Sequence, residues 1–241
     1  MLCMLATAQE AVDSMYIYRR NKTIERIAIT DIDSVTFVFP SCANPEELAC
    51  EVVDLGLPSG VKWASCNVGA TKPEESGGYY AWGETDKKDN YTWETYKWCS
   101  GASNTVVKYC TDSGFGNVDN KIVLEPEDDV ARVILGGDWR LPTVEEFQEL
   151  KDNCDWEWDA VNDVNGYKVV GPNGNSIFLP AAGLFSEAKV SNMGSIGFYW
   201  SGSLVYADNN QAGLLFFNRN ALDTSGWGER YFGYSVRPVC E

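Results

Sequence analysis

Between residues 204 and 232 the chain gathers Tyr206, Asp208, Asn209, Asn210, Asn218, Asn220, Asp223, Trp227, Glu229, Arg230 and Tyr231. Rigid rings give large contact area at low entropic cost, and short amides and carboxylates give adaptable hydrogen bonds, so this is the composition of a recognition surface. Phe198-Tyr199-Trp200 before it, and Val236 and Val239 after it, read as core strands that would hold that surface in place. A glycine-rich meander whose aromatics cover neighbouring strands has the same composition, and only the clustering favours binding. The chemistry expected here is contact rather than bond-breaking.

Other chemistries find less support. The chain contains no histidine, which removes the commonest general base, the Ser-His-Asp and Cys-His arrangements and the usual metal ligand. No glycine-rich loop joins a strand to a helix in the phosphate-cradling form, because Gly194 to Gly202 runs into strand-like sequence. The eight cysteines contain no Cys-x-x-Cys pair and fit no zinc template. Cys99 and Cys110 flank Ser100–Lys108 like the feet of a hairpin, so they pair in one reading and are buried thiols in the other. Asp155, Glu157 and Asp159 alternate with Trp156 and Trp158, which predicts a strand with a solvated acidic face over a core face. A paired-acid glycosidase site is not dismissed by composition. The acids do not follow the calcium-loop register, and a calcium site assembled from distant loops is not legible in sequence. The expectation is a non-catalytic protein without a cofactor.

Composition bounds the partners. A net charge of −16 opposes phosphate backbones and anionic lipid, so nucleic acid is not expected as a partner. No apolar run approaches the roughly 20 residues that cross a bilayer as a helix. Hydrophobic residues at 44% supply a sizeable core for 241 residues. Residues 1–11, apolar and ending in Ala-Thr-Ala before Gln9, read either as the remnant of a signal peptide or as a disordered start.

Residues 12–39 read as a hairpin segment: Met15–Tyr18 alternates, breaks at Asn21-Lys22 and resumes at Thr23–Ile29, with Asp33–Phe37 as a further strand. Residues 40–50 read as a linker and 51–241 as the main domain. There, a turn at Asp54–Gly60 leads into a buried strand at Val61–Ala64, and Asp86–Asn120 is a loop-dominated excursion pinned by Trp93, Tyr96, Trp98 and Tyr109. Glu125-Pro126-Glu127-Asp128-Asp129 predicts a helix start, with proline preset for the first turn and acids at the positive end of the dipole. Thr143 and Glu146 form a capping box that opens a second helix. Gly166–Val170 and Ser176–Leu179 flank an Asn-Gly turn, the strongest short hairpin signal. Helices, a long excursion and many short strands predict an α+β fold.

The ordered series Val53-Asp54-Leu55-Gly56-Leu57-Pro58-Ser59-Gly60-Val61-Lys62-Trp63-Ala64, Asn67-Val68-Gly69-Ala70, Tyr80-Ala81-Trp82-Gly83-Glu84, Trp139-Arg140-Leu141-Pro142-Thr143, Leu179-Pro180-Ala181-Ala182-Gly183, Tyr199-Trp200-Ser201 and Ser235-Val236-Arg237-Pro238-Val239 resembles the Fibrobacter succinogenes major paralogous domain family over Val52 to the end. Asp31–Phe37 is similar to leaders of Bacteroidetes surface proteins. The resemblance implies a C-type-lectin-like fold, related to formylglycine-generating enzymes and to the variable proteins of diversity-generating retroelements. It implies that the chain ends meet in a sheet, that the C-terminal loops present a ligand surface, that Arg140 and Arg237 are anchors, and that Trp139 and Trp200 are core. The copper-binding cysteine pair of the formylglycine branch does not map onto Cys154 or Cys240, and the lectin calcium motifs Glu-Pro-Asn and Trp-Asn-Asp are missing. The function this implies is an exported, cell-surface module, adhesin-like or receptor-like, with a protein or glycan ligand. A retroelement variable protein and a formylglycine-type oxidase or transferase are the alternatives.

Overall fold

A computed structural model describes residues 51–241 and, ahead of them, the backbone of two strands, β1 (Ser14–Tyr18) and β2 (Ile24–Ala28). The chain divides into two units, Met1–Phe39 and Pro40–Glu241. In the first, β1 and β2 pair antiparallel from Ser14↔Ala28 to Tyr18↔Ile24, the hairpin that the alternation predicts. The expected Asp33–Phe37 strand, the 40–50 linker and the 1–11 segment lie outside the described residues.

In the second unit the elements run β3 (Val52–Val53), β4 (Lys62–Ala64), a 3-10 turn at Trp93–Thr95, α1 (Val130–Leu135), α2 (Val144–Asn153), β5 (Asp155–Val161), β6 (Val164–Val170), β7 (Ser176–Pro180), β8 (Leu184–Ser186), β9 (Lys189–Ser191), β10 (Ile196–Leu204), β11 (Gln211–Asn218), β12 (Ala221–Glu229) and β13 (Val239–Cys240). The named strands pair antiparallel throughout, in sheets ordered β13-β4-β3, β5-β6-β7, β8-β9 and β10-β11-β12. With two α-helices, this is the α+β class.

Local signals explain most boundaries. Thr143 Oγ1 accepts the Glu146 N–H, and the Glu146 carboxylate accepts the Thr143 N–H at 2.8 Å, so the capping box opens α2 where expected. The helix buries Phe147 and Leu150. The Asn-Gly turn joins β6 to β7, and β5 alternates as predicted, with Trp156 and Trp158 packed on the core while Asp155, Glu157 and Asp159 stay exposed.

The first helix departs from expectation. It starts at Val130, with Asp129 as its cap accepting the Ala131 and Arg132 N–H groups, and residues 125–128 are a turn ahead of it. The acids of that turn serve a distant cation instead: Lys108 Nζ lies 2.5 Å from both Glu125 and Asp128. Asp128 is buried and also accepts the Tyr109 hydroxyl at 2.6 Å, tying the excursion to the helix.

The β10-β11-β12 sheet lies between two cores. Tyr199, Leu215 and Phe217 face one that includes Trp63, Phe147, Leu150, Val169 and Leu179. Trp200, Ala212 and Leu214 face the other, with Trp82, Tyr109, Val130, Leu141 and Val236. The last strand, β13, returns beside β4, next to β3, where the domain begins. Just before it, Arg237 is fully buried, donating to Asn67 Oδ1 and to the Ala64, Ser65 and Phe178 carbonyls at 2.8–3.1 Å. Burial depresses this guanidinium to a pKa of about 10. Arg140 makes a two-point contact with Glu146, so both arginines act as struts.

Candidate functional site

Geometry divides the residues of the 204–232 stretch into three groups. Strands β11 and β12 pair from Gln211↔Glu229 at one end to Asn218↔Ala221 at the other. Eight residues at about 3.3 Å each hold those ends more than 20 Å apart. Asn218, Asn220 and Asp223 therefore belong to the hairpin end, and Tyr206, Asp208, Asn210, Trp227, Glu229 and Tyr231 to the opposite end. The single surface expected from sequence is two.

At the hairpin end the polar groups fold onto their own backbone. Asn218 Oδ1 accepts the Asn220 N–H at 2.8 Å, and Asp223 Oδ1 accepts the N–H and hydroxyl of Ser225, both at 2.8 Å. Both are turn-stabilising arrangements characteristic of Asn and Asp.

The third group is buried, contrary to the expectation of ligand contact. Asn209 is fully enclosed; its Oδ1 accepts from Thr111 N at 2.6 Å and Asp112 N at 3.0 Å, and its Nδ2 donates to Thr111 Oγ1 at 3.0 Å. Arg230 has no exposed surface either. Its guanidinium donates to the Tyr96 hydroxyl and to the Tyr109, Asn209 and Lys108 carbonyls, and lies 4.9 Å from the centre of the Trp82 ring. Two residues with recognition-type side chains are thus bolts between the C-terminal sheet and the excursion. A polar group inside a protein must find partners, and the excursion carbonyls supply them.

Outward presentation is confined to the Tyr206/Trp227 end. Tyr206 is 74% exposed and Trp227 61%, the two most exposed aromatics among the described residues. A ladder bulge between Leu214 and Phe216 sets their surroundings. Trp227 stands opposite Gly213, on the face that α2 covers, since a Cβ at Gly213 would come within 2.5 Å of Val144 Cγ2. Thr224, also on that side, bonds Gln148 of α2. Beyond the bulge the faces exchange, so Asp223 stands opposite Phe216 on the other side. Trp227 projects from its face beside the first turn of α2, which carries Glu145 and Glu146.

The electrostatics at this end are acidic. Glu229 lies opposite Gln211, and its carboxyl is held above the usual range by burial, with the Asp208 charge adding to the shift and a hydrogen bond from Gln211 opposing it. The Tyr231 hydroxyl is raised by burial and by Glu229, Glu187 and Glu94. Tyr231 is half-buried, its ring 5.1 Å from Trp93 and 4.5 Å from Phe232, so it buttresses the surface more than it presents itself. Trp93 and Thr111 escape a reading confined to 204–232, and Gln211, inside it, stands out by neither ring nor charge; the aromatic spacing of the excursion is the one signal for Trp93.

The cysteines form no redox pair at this end. Cys99 and Cys110 are separate thiols, which corrects the hairpin-bridge reading: Cys99 Sγ donates to the Trp93 carbonyl at 3.0 Å and Cys110 Sγ to the Asp112 carbonyl at 3.2 Å. The chain between their feet is not a simple hairpin, since Cys99 bridges Val106, and Val106 bridges Gly116 beyond Cys110. Cys66 is disulfide-bonded. Burial, with Asp155 and Glu149 nearby, raises the Cys154 thiol to about 11, unfavourable for a nucleophile. No group of three or more Asp, Glu, Cys or His side chains among the described residues could hold a metal ion, and no helix among them is long and apolar enough to cross a membrane. Compared with known proteins, the chain matches no family model, no curated protein and no solved structure.

Proposed function

We propose that this chain is an exported, non-catalytic binding module, adhesin-like or receptor-like, that holds a protein or glycan through Tyr206, Trp227 and the carboxylates beside them. The observation that carries the reading is the contrast at one end of the sheet: Tyr206 and Trp227 stand 74% and 61% exposed, while neighbouring Asn209 and Arg230 are fully buried and lock the loop and strand that carry them. A large aromatic left in water on a stiff support loses little entropy on contact, which is what a preformed binding surface requires.

A C-type-lectin-like scaffold is part of the proposal. Its support is the placement of β13 beside β4, the two helices, and the burial of Trp63, Trp82, Trp139, Trp200 and Arg237 from the ordered motifs. The Cys66 disulfide supports export into an oxidising compartment. The test is an array of glycans and host surface proteins probed with wild type and with a Tyr206→Ala/Trp227→Ala variant of unchanged melting temperature. The reading expects a ligand held by wild type and released by the variant. Equal retention of every ligand by both proteins would refute it.

A further inference from the structure

Strand β12 is the last of its sheet: β11 pairs along one side, and along the other the one backbone hydrogen bond among the described residues is at its very end, where the Glu229 carbonyl accepts the Phe232 N–H at 3.0 Å. The Arg230 N–H donates to the Asn210 carbonyl at 2.9 Å, so residue 230 points its N–H toward β11, while its carbonyl accepts the Trp82 N–H. Antiparallel ladders alternate, and Trp227 therefore turns both its N–H and its carbonyl to the open side, as Glu229 does its N–H. An exposed edge of this kind is a template for another strand, and proteins usually block it with lysine, proline or a covering segment. Lysine and proline are absent from β12, whose one irregularity is the bulge of Thr224 and Ser225 opposite Leu215, at the start of the Ser225–Glu229 half. Gly226 and Gly228 flank Trp227, so β12 itself adds no side chain to the opposite face there, where Leu214 and the Tyr234 ring already pack.

Charge selects the partner. Around this half-strand stand Asp208 and Glu229, with Glu145 on the adjoining helix turn, whereas the stretch's two cations are removed: Arg230 is buried, and Arg219 sits in the turn at the far end. The chain as a whole carries −16, which disfavours pairing with a second copy of itself. We propose that the open edge of β12, from Ser225 to Glu229, takes up an extended basic segment of a partner protein as an added strand. The partner's backbone bonds the outward groups of Trp227 and Glu229, its apolar side chains cover the Trp227 ring, and its lysines or arginines meet Asp208 and Glu229. This rests on the binding-module reading and narrows its ligand to a basic polypeptide held in strand form.

The probe is a synthetic heptapeptide alternating lysine with valine and threonine, titrated calorimetrically into the full chain at low and at physiological salt. A peptide of equal charge with alternate residues replaced by proline serves as the control. Saturable binding of the first peptide, at least about tenfold weaker binding of the control, and a similar loss in a Trp227→Pro variant are expected, since proline in either strand removes edge N–H donors and its ring hinders the strand approach. Because the Trp227 N–H lies outside the β11 ladder, proline there leaves the sheet paired; a Trp227→Thr variant, which keeps the N–H and loses the ring, is expected to bind between wild type and the proline variant. Equal binding of both peptides, or Trp227→Pro binding as well as Trp227→Thr, overturns strand addition and leaves only charge attraction. If neither peptide binds but an array ligand is still lost on Tyr206→Ala/Trp227→Ala, the basic-strand inference falls and the binding-module reading stands. Should no ligand of any kind depend on those two rings, both fall together.

Discussion

Replacing Arg230 with methionine separates a structural bolt from a ligand contact. The four hydrogen bonds of its guanidinium span 2.9–3.1 Å and end on neutral oxygens: the Tyr96 hydroxyl and the carbonyls of Lys108, Tyr109 and Asn209. Hydrogen bonds to a charged donor contribute roughly 1.5 kcal/mol or more each. Methionine fills part of the volume and relieves the burial of an unpaired charge, which offsets some of that loss. A net destabilisation of about 4 kcal/mol follows, at the upper end for single substitutions. For a domain of this size it corresponds to a melting temperature lower by about 8–16 °C. Arg230→Lys keeps the charge but not the planar fork, and is expected to lose nearly as much. Urea unfolding at pH 7, followed by tryptophan fluorescence, reads the change. A loss below about 1 kcal/mol, accompanied by lost ligand binding, would refute the argument and return Arg230 to the recognition surface.

Asn209→Ala removes the acceptor of the Thr111 and Asp112 N–H groups; amide exchange at those two positions should quicken well ahead of global unfolding, and unchanged protection would contradict the staple. Asp119 lies below the usual carboxyl range although burial alone would raise it, because the Cys110, Tyr109 and Lys121 N–H groups bond the ionised form. The stability it supplies is present above the unfolded value of about 3.9 and lost as pH falls through the folded one, so Asp119→Asn should be weaker than wild type at pH 7 and converge with it in acid. A constant gap in urea midpoint down to pH 2 would count against that assignment. Cys154, raised to about 11, should alkylate with iodoacetamide at pH 8 far more slowly than an unstructured thiol, and a rate equal to that of free cysteine would show the thiol to be unburdened.

The parts of this fold that were legible are those in which neighbouring residues decide the outcome. The Thr143/Glu146 box, the Asn-Gly turn between β6 and β7 and the Asp155–Trp158 alternation each carry a local mechanism, and each formed as read. Glu125–Asp129 shows the limit: proline and acids make an acceptable first turn, but a lysine far along the chain captures Glu125 and Asp128 and delays the helix to Val130. Cys99 and Cys110 fail for a related reason, since spacing gives loop length but not where the intervening chain travels.

The candidate site was legible as composition and not as orientation. A strand alternates faces by twos, so Asp223 and Trp227 should share one; the bulge, invisible to periodicity, puts them on opposite faces. Asn209 and Arg230 are indistinguishable from contact residues until the excursion carbonyls and Thr111 arrive to satisfy them. Full burial of Asn209 also makes it a poor position for the free rewriting that a retroelement variable protein requires.

The central claim is that recognition lies at one end of the β10-β11-β12 sheet. Titration of a ligand recovered from the array against Tyr206→Ala, Trp227→Ala, Asn220→Ala and Asp223→Ala, each with its melting temperature verified, tests that claim most directly. Losses of about tenfold or more are expected for the first two, as for truncated aromatic hot spots, and affinities within about twofold of wild type for the last two. Losses concentrated at Asn220 and Asp223, or equal affinity across all four variants, would contradict it.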